Sequence, residues 1–192
     1  MEIAEDIILV DSIKNGYEDS FQKLVETHQN MIFRVCYGFV KNTEDADDLT
    51  QEVFIQVFKN INSFRGDSGL STWMYRIAVN KSINFLRQQK IRKVFSPITG
   101  MFSNQEIHSN SQFVKTPEQI ITDKQTEEAL NTAIDSLPEN QRTAFILHKY
   151  DEVPQQKIAE IMNLSVSAVE SLIFRAKSNL QEKLKKYYKE NC

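Results

Sequence analysis

Basic and aromatic side chains are concentrated in one segment of the chain, between Phe64 and Lys93. No acidic residue occurs from Ser68 to Gln105, although the whole chain has a formal net charge of −3. The positive charges of this stretch come from Arg76, Lys81, Arg87, Lys90, Arg92 and Lys93. A positive patch in an otherwise acidic chain indicates an anionic partner that is bound at this place.

The apolar spacing of the same segment predicts a helix that starts after a turn at residues 67–72 and ends near Arg92. Ser71 or Thr72 is the expected N-cap. One side of the helix is apolar and is expected to pack into a core. The other side presents one indole, one aliphatic chain, two amides and two guanidinium groups, from Trp73, Ile77, Asn80, Asn84, Arg76 and Arg87.

The polar groups on that side can stack on bases, hydrogen-bond to base edges and hold phosphates. We therefore predict that this face binds nucleic acid. The alternative is that Trp73 and Ile77 pack beneath the preceding loop, while the bases form a solvated rim. For Trp73 alone, the two interpretations are equally supported.

An acidic run without any base precedes the basic segment, at Glu44, Asp45, Asp47, Asp48 and Glu52. Thr43 is expected to cap a helix that begins here. The dipole of a helix is complemented by one or two acids in its first turn, so the surplus predicts a docking surface for a basic partner. A solvated acidic face is an equally supported alternative.

Near the C-terminus, two helical segments are separated by a tight turn. Pro154 starts a short helix, Asn163 can adopt the left-handed conformation of the turn, and Ser165 caps a longer helix. The exposed side of the longer helix carries Ser167, Glu170, Ser171, Phe174 and Arg175. A small polar face with one arginine and one exposed aromatic ring fits a DNA major groove, although an ordinary helical hairpin is the alternative.

The chain as a whole is predicted to be all-α, because apolar spacing of three and four residues dominates nearly everywhere. Residues 94–116 are rich in small polar residues and lack a period, which predicts a flexible linker. We expect two small helical domains, an N-terminal helical bundle at residues 1–93 and a C-terminal helix-turn-helix bundle at residues 117–192.

Several classes of function find no support in the sequence. His28, His108 and His148 are isolated, and the cysteines lack metal-ligand spacing, so we predict no metal, no cofactor and no catalytic residues. An enzyme acting on nucleic acid is therefore the least supported hypothesis. No signal peptide or apolar run of membrane-spanning length occurs, which predicts a cytoplasmic protein.

Taken together, these motifs resemble a bacterial RNA polymerase sigma factor of the extracytoplasmic function (ECF) group of the sigma-70 family. The segment DADDLTQEVFIQVFKNI is similar to the region-two helix that binds the clamp coiled coil of RNA polymerase. FRGDSGLSTWMYRIAVNKSINFLR is similar to the segment that melts and reads the minus-ten promoter element. The residues from Leu137 to Leu180 resemble the region-four helix-turn-helix, which reads the minus-thirty-five element.

The resemblance implies roles for individual residues. Polymerase contacts would come from Asp48, Gln51 and Glu52. The loop that contains Phe64, Arg65 and Ser71 would hold the unstacked strand with Trp73, while Asn80 reads the minus-ten element, flanked by Arg76, Asn84 and Arg87. Minus-thirty-five contacts would come from Ser167, Glu170, Ser171, Phe174 and Arg175. Glu170 and Leu172 depart from the family, since many relatives carry basic residues there.

The resemblance also implies the partners, namely the clamp and flap of core RNA polymerase, promoter DNA in duplex and melted form, and a separate anti-sigma factor. The other hypothesis is an autonomous helix-turn-helix regulator that binds operator DNA as a dimer and senses a ligand with its N-terminal domain. The acidic helix discriminates between the two, because an operator-binding regulator does not need it.

Overall fold

The computed structural model describes residues 2–95 and 117–191 of the chain. The helices are α1 (Glu2–Lys14), α2 (Glu18–Val40), α3 (Thr43–Asn60), α4 (Leu70–Phe95), α5 (Pro117–Asp135), α6 (Glu139–Tyr150), α7 (Gln155–Met162) and α8 (Val166–Asn191). A 3₁₀ turn, Ile61–Ser63, follows α3. Neither described range contains a strand, and the all-α prediction is confirmed. No described helix is long and apolar enough to span a bilayer.

The acidic helix α3 is capped differently from the expectation. Asn42 is the N-cap, and its Oδ1 accepts a hydrogen bond from the backbone N–H of Asp45 at 2.9 Å. Thr43 is already the first residue of the helix, so the prediction that it caps α3 was wrong by one residue. Asparagine is at least as good an N-cap as threonine, and its side chain reaches the N3 amide from one residue further back.

The basic helix α4 is capped by a residue from another helix. It begins at Leu70, and the Leu70 N–H donates to Oδ2 of Asp6 in α1 at 2.7 Å. Ser71 and Thr72 lie buried in the first turn, so the prediction that one of them caps α4 was wrong. A carboxylate at this position also complements the positive end of the helix dipole.

The C-terminal helices follow the predicted helix-turn-helix closely. Asn163 ends α7 in the left-handed conformation, with φ 54° and ψ 49°. Ser165 caps α8 by accepting from the N–H of Ala168 at 3.2 Å. The inner side of α8 is buried at Val169, Ile173, Ala176 and Leu180. Both turn residues were predictable because they act on backbone within a few positions.

The N-terminal half (residues 2–95) and the C-terminal half (residues 117–191) share one continuous hydrophobic core. Helix α2 contacts α6, and helix α4 contacts α7. A smaller apolar cluster joins α5 to α8. Helix α4 continues to Phe95, two residues past the predicted domain boundary, and residues 96–116 of the predicted linker lie outside the described residues.

We expect Asp6→Ala to lower the free energy of unfolding by about 1 kcal/mol, because the first turn of α4 loses its cap. Asp6→Asn should retain most of the stability, since an amide oxygen accepts the same hydrogen bond. Asp11→Ala, on the exposed side of α1, is the matched control and should change stability by less than about 0.5 kcal/mol. Urea denaturation followed by circular dichroism measures all three. Equal stabilities for Asp6→Ala and Asp11→Ala would contradict the cap.

Candidate polymerase and nucleic-acid interfaces

The three predicted polymerase contacts lie together on the solvent side of α3. Asp48, Gln51 and Glu52 are all exposed, and their spacing of three and four residues places them on one helix face. Glu52 is paired with Lys81 of α4, whose Nζ lies 2.9 Å from its Oε2. This ion pair ties the acidic helix to the basic helix without covering Asp48 or Gln51.

Two apolar residues continue this face and were missed at the sequence level. Ile55 and Phe58 are 53% and 57% exposed, respectively. The ring of Phe58 packs edge-on against Phe21 of α2, with ring centroids 5.0 Å apart. We call the set Asp48, Gln51, Glu52, Ile55 and Phe58 the docking stripe. An exposed apolar pair beside carboxylates is typical of a protein-binding surface.

The position of Ile55 and Phe58 was readable from the sequence. They follow Gln51 by four and seven residues, which is the spacing of one helix face. The apolar residues on the opposite side of α3 pack into the core, so Ile55 and Phe58 are not needed for it.

The start of α3 has a strongly negative local field. The pKa of Asp45 is raised, first by partial burial and then by the neighbouring carboxylates of Asp48 and Glu44. Such mutual repulsion means that a basic partner would be attracted to this end of the helix. The electrostatics therefore favour a cationic ligand surface next to the docking stripe.

At the start of α4, the predicted strand-holding residues divide into buried and exposed groups. Phe64 is 6% exposed and packs against the half-buried Trp73, with ring centroids 5.6 Å apart. Ser71 is buried, whereas Arg65 is exposed and pairs with Asp67 at 3.0 Å. In this arrangement Trp73 has a packing role, and Phe64 is not accessible to a ligand.

Further along α4, two arginines of the predicted minus-ten face contact the C-terminal half. Nη2 of Arg76 donates to the backbone carbonyl of Glu160 at 2.8 Å. Nη2 of Arg87 lies 2.9 Å and 3.0 Å from the two carboxylate oxygens of Glu139. Asn80 is exposed and lines a cleft of about 540 Å³ that lies between α4 and the helices α6 and α7. Asn84 is also exposed.

The predicted minus-thirty-five face on α8 is fully accessible. Ser167, Glu170, Ser171, Phe174 and Arg175 are all exposed, and Phe174 reaches 74%. Nε of Arg175 donates to the carbonyl of Ser171 at 3.1 Å, so the arginine lies along its own helix. The structure thus brings the five predicted residues together on one open surface.

No cluster of three or more potential metal ligands occurs among residues 2–95 and 117–191. His28 lies at the edge of the core, where burial lowers its pKa more than the nearby carboxylate of Asp6 raises it. A half-buried histidine outside any metal-ligand cluster of the described residues is typical of a packing role.

Two family models match the chain, Sigma-70 region 2 at residues 24–91 and Sigma-70 region 4 at residues 127–180. The ECF RNA polymerase sigma-E factor of Haemophilus influenzae is 34% identical over 180 residues, covering 93% of this chain and 95% of the relative. The Escherichia coli sigma-E factor is 33% identical, covering 93% and 94%. The chain belongs to the ECF sigma factors.

Solved structures show the same fold. CnrH in complex with the cytosolic domain of CnrY superposes with a TM-score of 0.65 at 21% identity, covering 94% of this chain and 97% of that one. The sigma factor RpoE in complex with the anti-sigma factor NepR from Bartonella quintana gives a TM-score of 0.60 at 21% identity, covering 86% and 96%.

As an ECF sigma factor, the chain is a non-enzymatic initiation factor that binds core RNA polymerase and promoter DNA and directs transcription initiation. Family membership therefore decides against the autonomous regulator. The region-2 match contains the docking stripe and the minus-ten face, and the region-4 match contains the α8 face. The roles of the individual side chains remain predictions.

We expect Trp73→Ala to reduce the free energy of unfolding by about 2 kcal/mol, because the indole packs against Phe64 and the core. Asn80→Ala, on the exposed side of the same helix, should change it by less than about 0.5 kcal/mol. Chemical denaturation of the two variants makes the comparison. A Trp73→Ala protein as stable as wild type would show that the ring contributes little to packing.

Proposed function

We propose that the docking stripe binds the polymerase clamp, that the α4 face holds the melted minus-ten strand, and that the α8 face reads the minus-thirty-five element. Residues 1–93 and 117–192 form the two DNA-binding domains, and residues 94–116 link them. The protein acts in the cytoplasm, where the polymerase is. The observation that carries the proposal is the open stripe on α3, which combines acids with the apolar pair Ile55 and Phe58.

Docking on the polymerase combines two physical effects. Asp48 attracts a basic surface and orients the encounter, while Ile55 and Phe58 lose their exposed apolar area to the partner. Apolar area supplies affinity and charge supplies direction, so both kinds of residue are needed on one face.

Strand capture at the minus-ten element requires groups that act on unpaired bases. Asn80 can form paired hydrogen bonds with an adenine edge, and Asn84 lies one turn further along the same helix. Arg76 and Arg87 supply phosphate contacts once they leave their present partners, Glu160 and Glu139. Trp73 supports the loop from Phe64 to Ser71 from beneath, and its half-exposed edge is available to a base.

Reading of the minus-thirty-five element follows from the chemistry of the α8 face. A carboxylate repels phosphates but accepts a hydrogen bond from the amino group of cytosine, which assigns a cytosine to Glu170. The exposed ring of Phe174 suits a thymine methyl group. Arg175 can leave its helix to reach a guanine or a phosphate.

Regulation by a separate protein is part of the proposal. The solved structure of RpoE contains the anti-sigma factor NepR, and that structure shares the fold of this chain. A partner of the same class would act here by covering the docking stripe or a DNA-reading face.

We expect Asp48→Lys and Ile55→Ser each to weaken binding to core polymerase about tenfold, the first by charge and the second by loss of apolar area. The charge effect should shrink at high salt, whereas the apolar effect should persist. Fluorescence anisotropy with labelled sigma factor and purified core enzyme measures both.

Matched controls for the docking stripe lie elsewhere in the same half. Glu26→Lys makes the same charge change on α2, and Ile8→Ser removes a more exposed isoleucine, 67% against 53% for Ile55, from α1. Both controls should bind core polymerase as wild type does. Similar losses in the stripe and control variants would mean that no particular surface docks.

We expect Glu170→Arg to change the preferred base at one position of the upstream element, from cytosine to guanine. General DNA affinity should also rise and its salt dependence should steepen by about one phosphate contact. Selection from randomised upstream DNA by reconstituted holoenzyme reveals the preference. Glu182→Arg, three turns further along α8, is the control and should select the wild-type sequence. Identical selected sequences for all three proteins would remove Glu170 from the reading face.

A further inference from the structure

We infer that the free protein is held closed by a latch of three residues, Arg34, Tyr75 and Asp151. In this closed state Arg76 and Arg87 of the minus-ten face of α4 are bound by the C-terminal half, while Asn80 and Asn84 stay exposed. The docking stripe and the α8 face stay open in the same state, so the latch controls one DNA contact selectively. The inference rests on the proposed role of α4 and adds a regulatory state to it.

The centre of the latch is a buried carboxylate. Asp151 follows α6 in the C-terminal half, and its side chain is only 1% exposed. Nε and Nη2 of Arg34, in α2, both lie 2.5 Å from Oδ1 of Asp151. The hydroxyl of Tyr75, in α4, donates to Oδ2. The carboxylate therefore joins two helices of the N-terminal half to the C-terminal half, and loss of either partner would leave a buried charge poorly compensated.

A close apolar contact supports the latch. Gly38 is buried in the last turn of α2, where a Cβ atom would lie only 2.6 Å from Cγ2 of Ile146 in α6. The same Cβ would lie 3.4 Å from the ring of Tyr150. Glycine is unfavourable inside a helix, so its presence here is explained by the need to admit the Ile146 methyl group.

The closed state occupies the basic groups that DNA would use. The carboxylate of Glu139 pairs with Arg87, and the carbonyl of Glu160 accepts a hydrogen bond from Arg76. Phosphate oxygens would make the same contacts in a promoter complex. Nζ of Lys157, in α7, donates to Oγ of Ser71 at 2.7 Å, at the start of the predicted strand-holding surface. DNA and the helices α6 and α7 therefore compete for Arg76 and Arg87.

One buried group opposes closure. Nζ of Lys41, at the end of α2, lies 3.5 Å from the ring centroid of Tyr150 and has no hydrogen-bond partner among the described residues. Burial lowers the pKa of Lys41 to about 7, against the opposing effect of Asp135. Opening returns the amine to water. The burial of Lys41 therefore offsets part of the free energy that stabilises the closed state.

The test compares variants of the full chain by small-angle X-ray scattering, without polymerase or DNA. We expect Asp151→Asn, Tyr75→Phe and Gly38→Ala each to increase the radius of gyration while keeping the helical content. Glu152→Gln, which removes the exposed neighbouring carboxylate, should leave the radius unchanged. A wild-type radius for the first three variants would overturn the latch.

Gly38→Ala provides an independent sign test. If the halves are closed in solution, the added methyl group collides with Ile146 and the melting temperature falls. If the halves are apart, alanine is simply a better residue than glycine inside α2, and the melting temperature rises. A rise would overturn the closed state.

The consequence for DNA is tested with a fluorescent single strand that carries the minus-ten sequence selected by wild-type holoenzyme. We expect the opened variants to bind it several-fold more tightly than wild type and Glu152→Gln. Opened variants with unchanged affinity would overturn the claim that closure occupies the arginines of the minus-ten face. Failure of wild-type holoenzyme to initiate transcription would instead overturn the proposed function, and the scattering result would still stand.

Discussion

The close contact between Ile146 and Gly38 is the interaction on which the arrangement of the two halves depends. It lets α6 approach α2 closely, so that a single core runs through both halves. Asp151 can then be buried between Arg34 and Tyr75, where its charge and both of its oxygens are compensated. A larger side chain at position 38 would separate the helices, and the carboxylate of Asp151 would lose its contacts with Arg34 and Tyr75.

The surfaces of the molecule differ in how they use this arrangement. The docking stripe on α3 and the α8 face are both exposed. On the α4 face, Arg76 and Arg87 bind oxygen atoms of Glu160 and Glu139 in the C-terminal half, while Asn80 and Asn84 stay exposed. Acidic and basic surfaces thus lie on neighbouring helices, joined by the Glu52–Lys81 ion pair. The acidic surface attracts a basic partner and the basic surface an anionic one.

The sequence predicted those features whose causes are local. Helical spacing located the helices, and Asn163 and Ser165 marked a turn whose hydrogen bonds span only a few residues. The cap of α4 was not predictable, because Asp6 is distant in sequence and leaves no periodic signal. The same holds for Asp151 and Arg34, which are 117 residues apart. Site residues were recognisable as types, but their burial, as at Phe64, depends on packing that a one-dimensional pattern does not contain.

The chain is a sigma factor that directs core RNA polymerase to initiate transcription at promoters. The most direct measurement is in vitro transcription with purified core polymerase on a pool of genomic promoter fragments, with the start sites mapped by sequencing. We expect new start sites that require the chain and share two upstream sequence elements at a fixed separation. Start sites that do not depend on the chain, together with sequence-specific binding of duplex DNA by the chain alone, would contradict it.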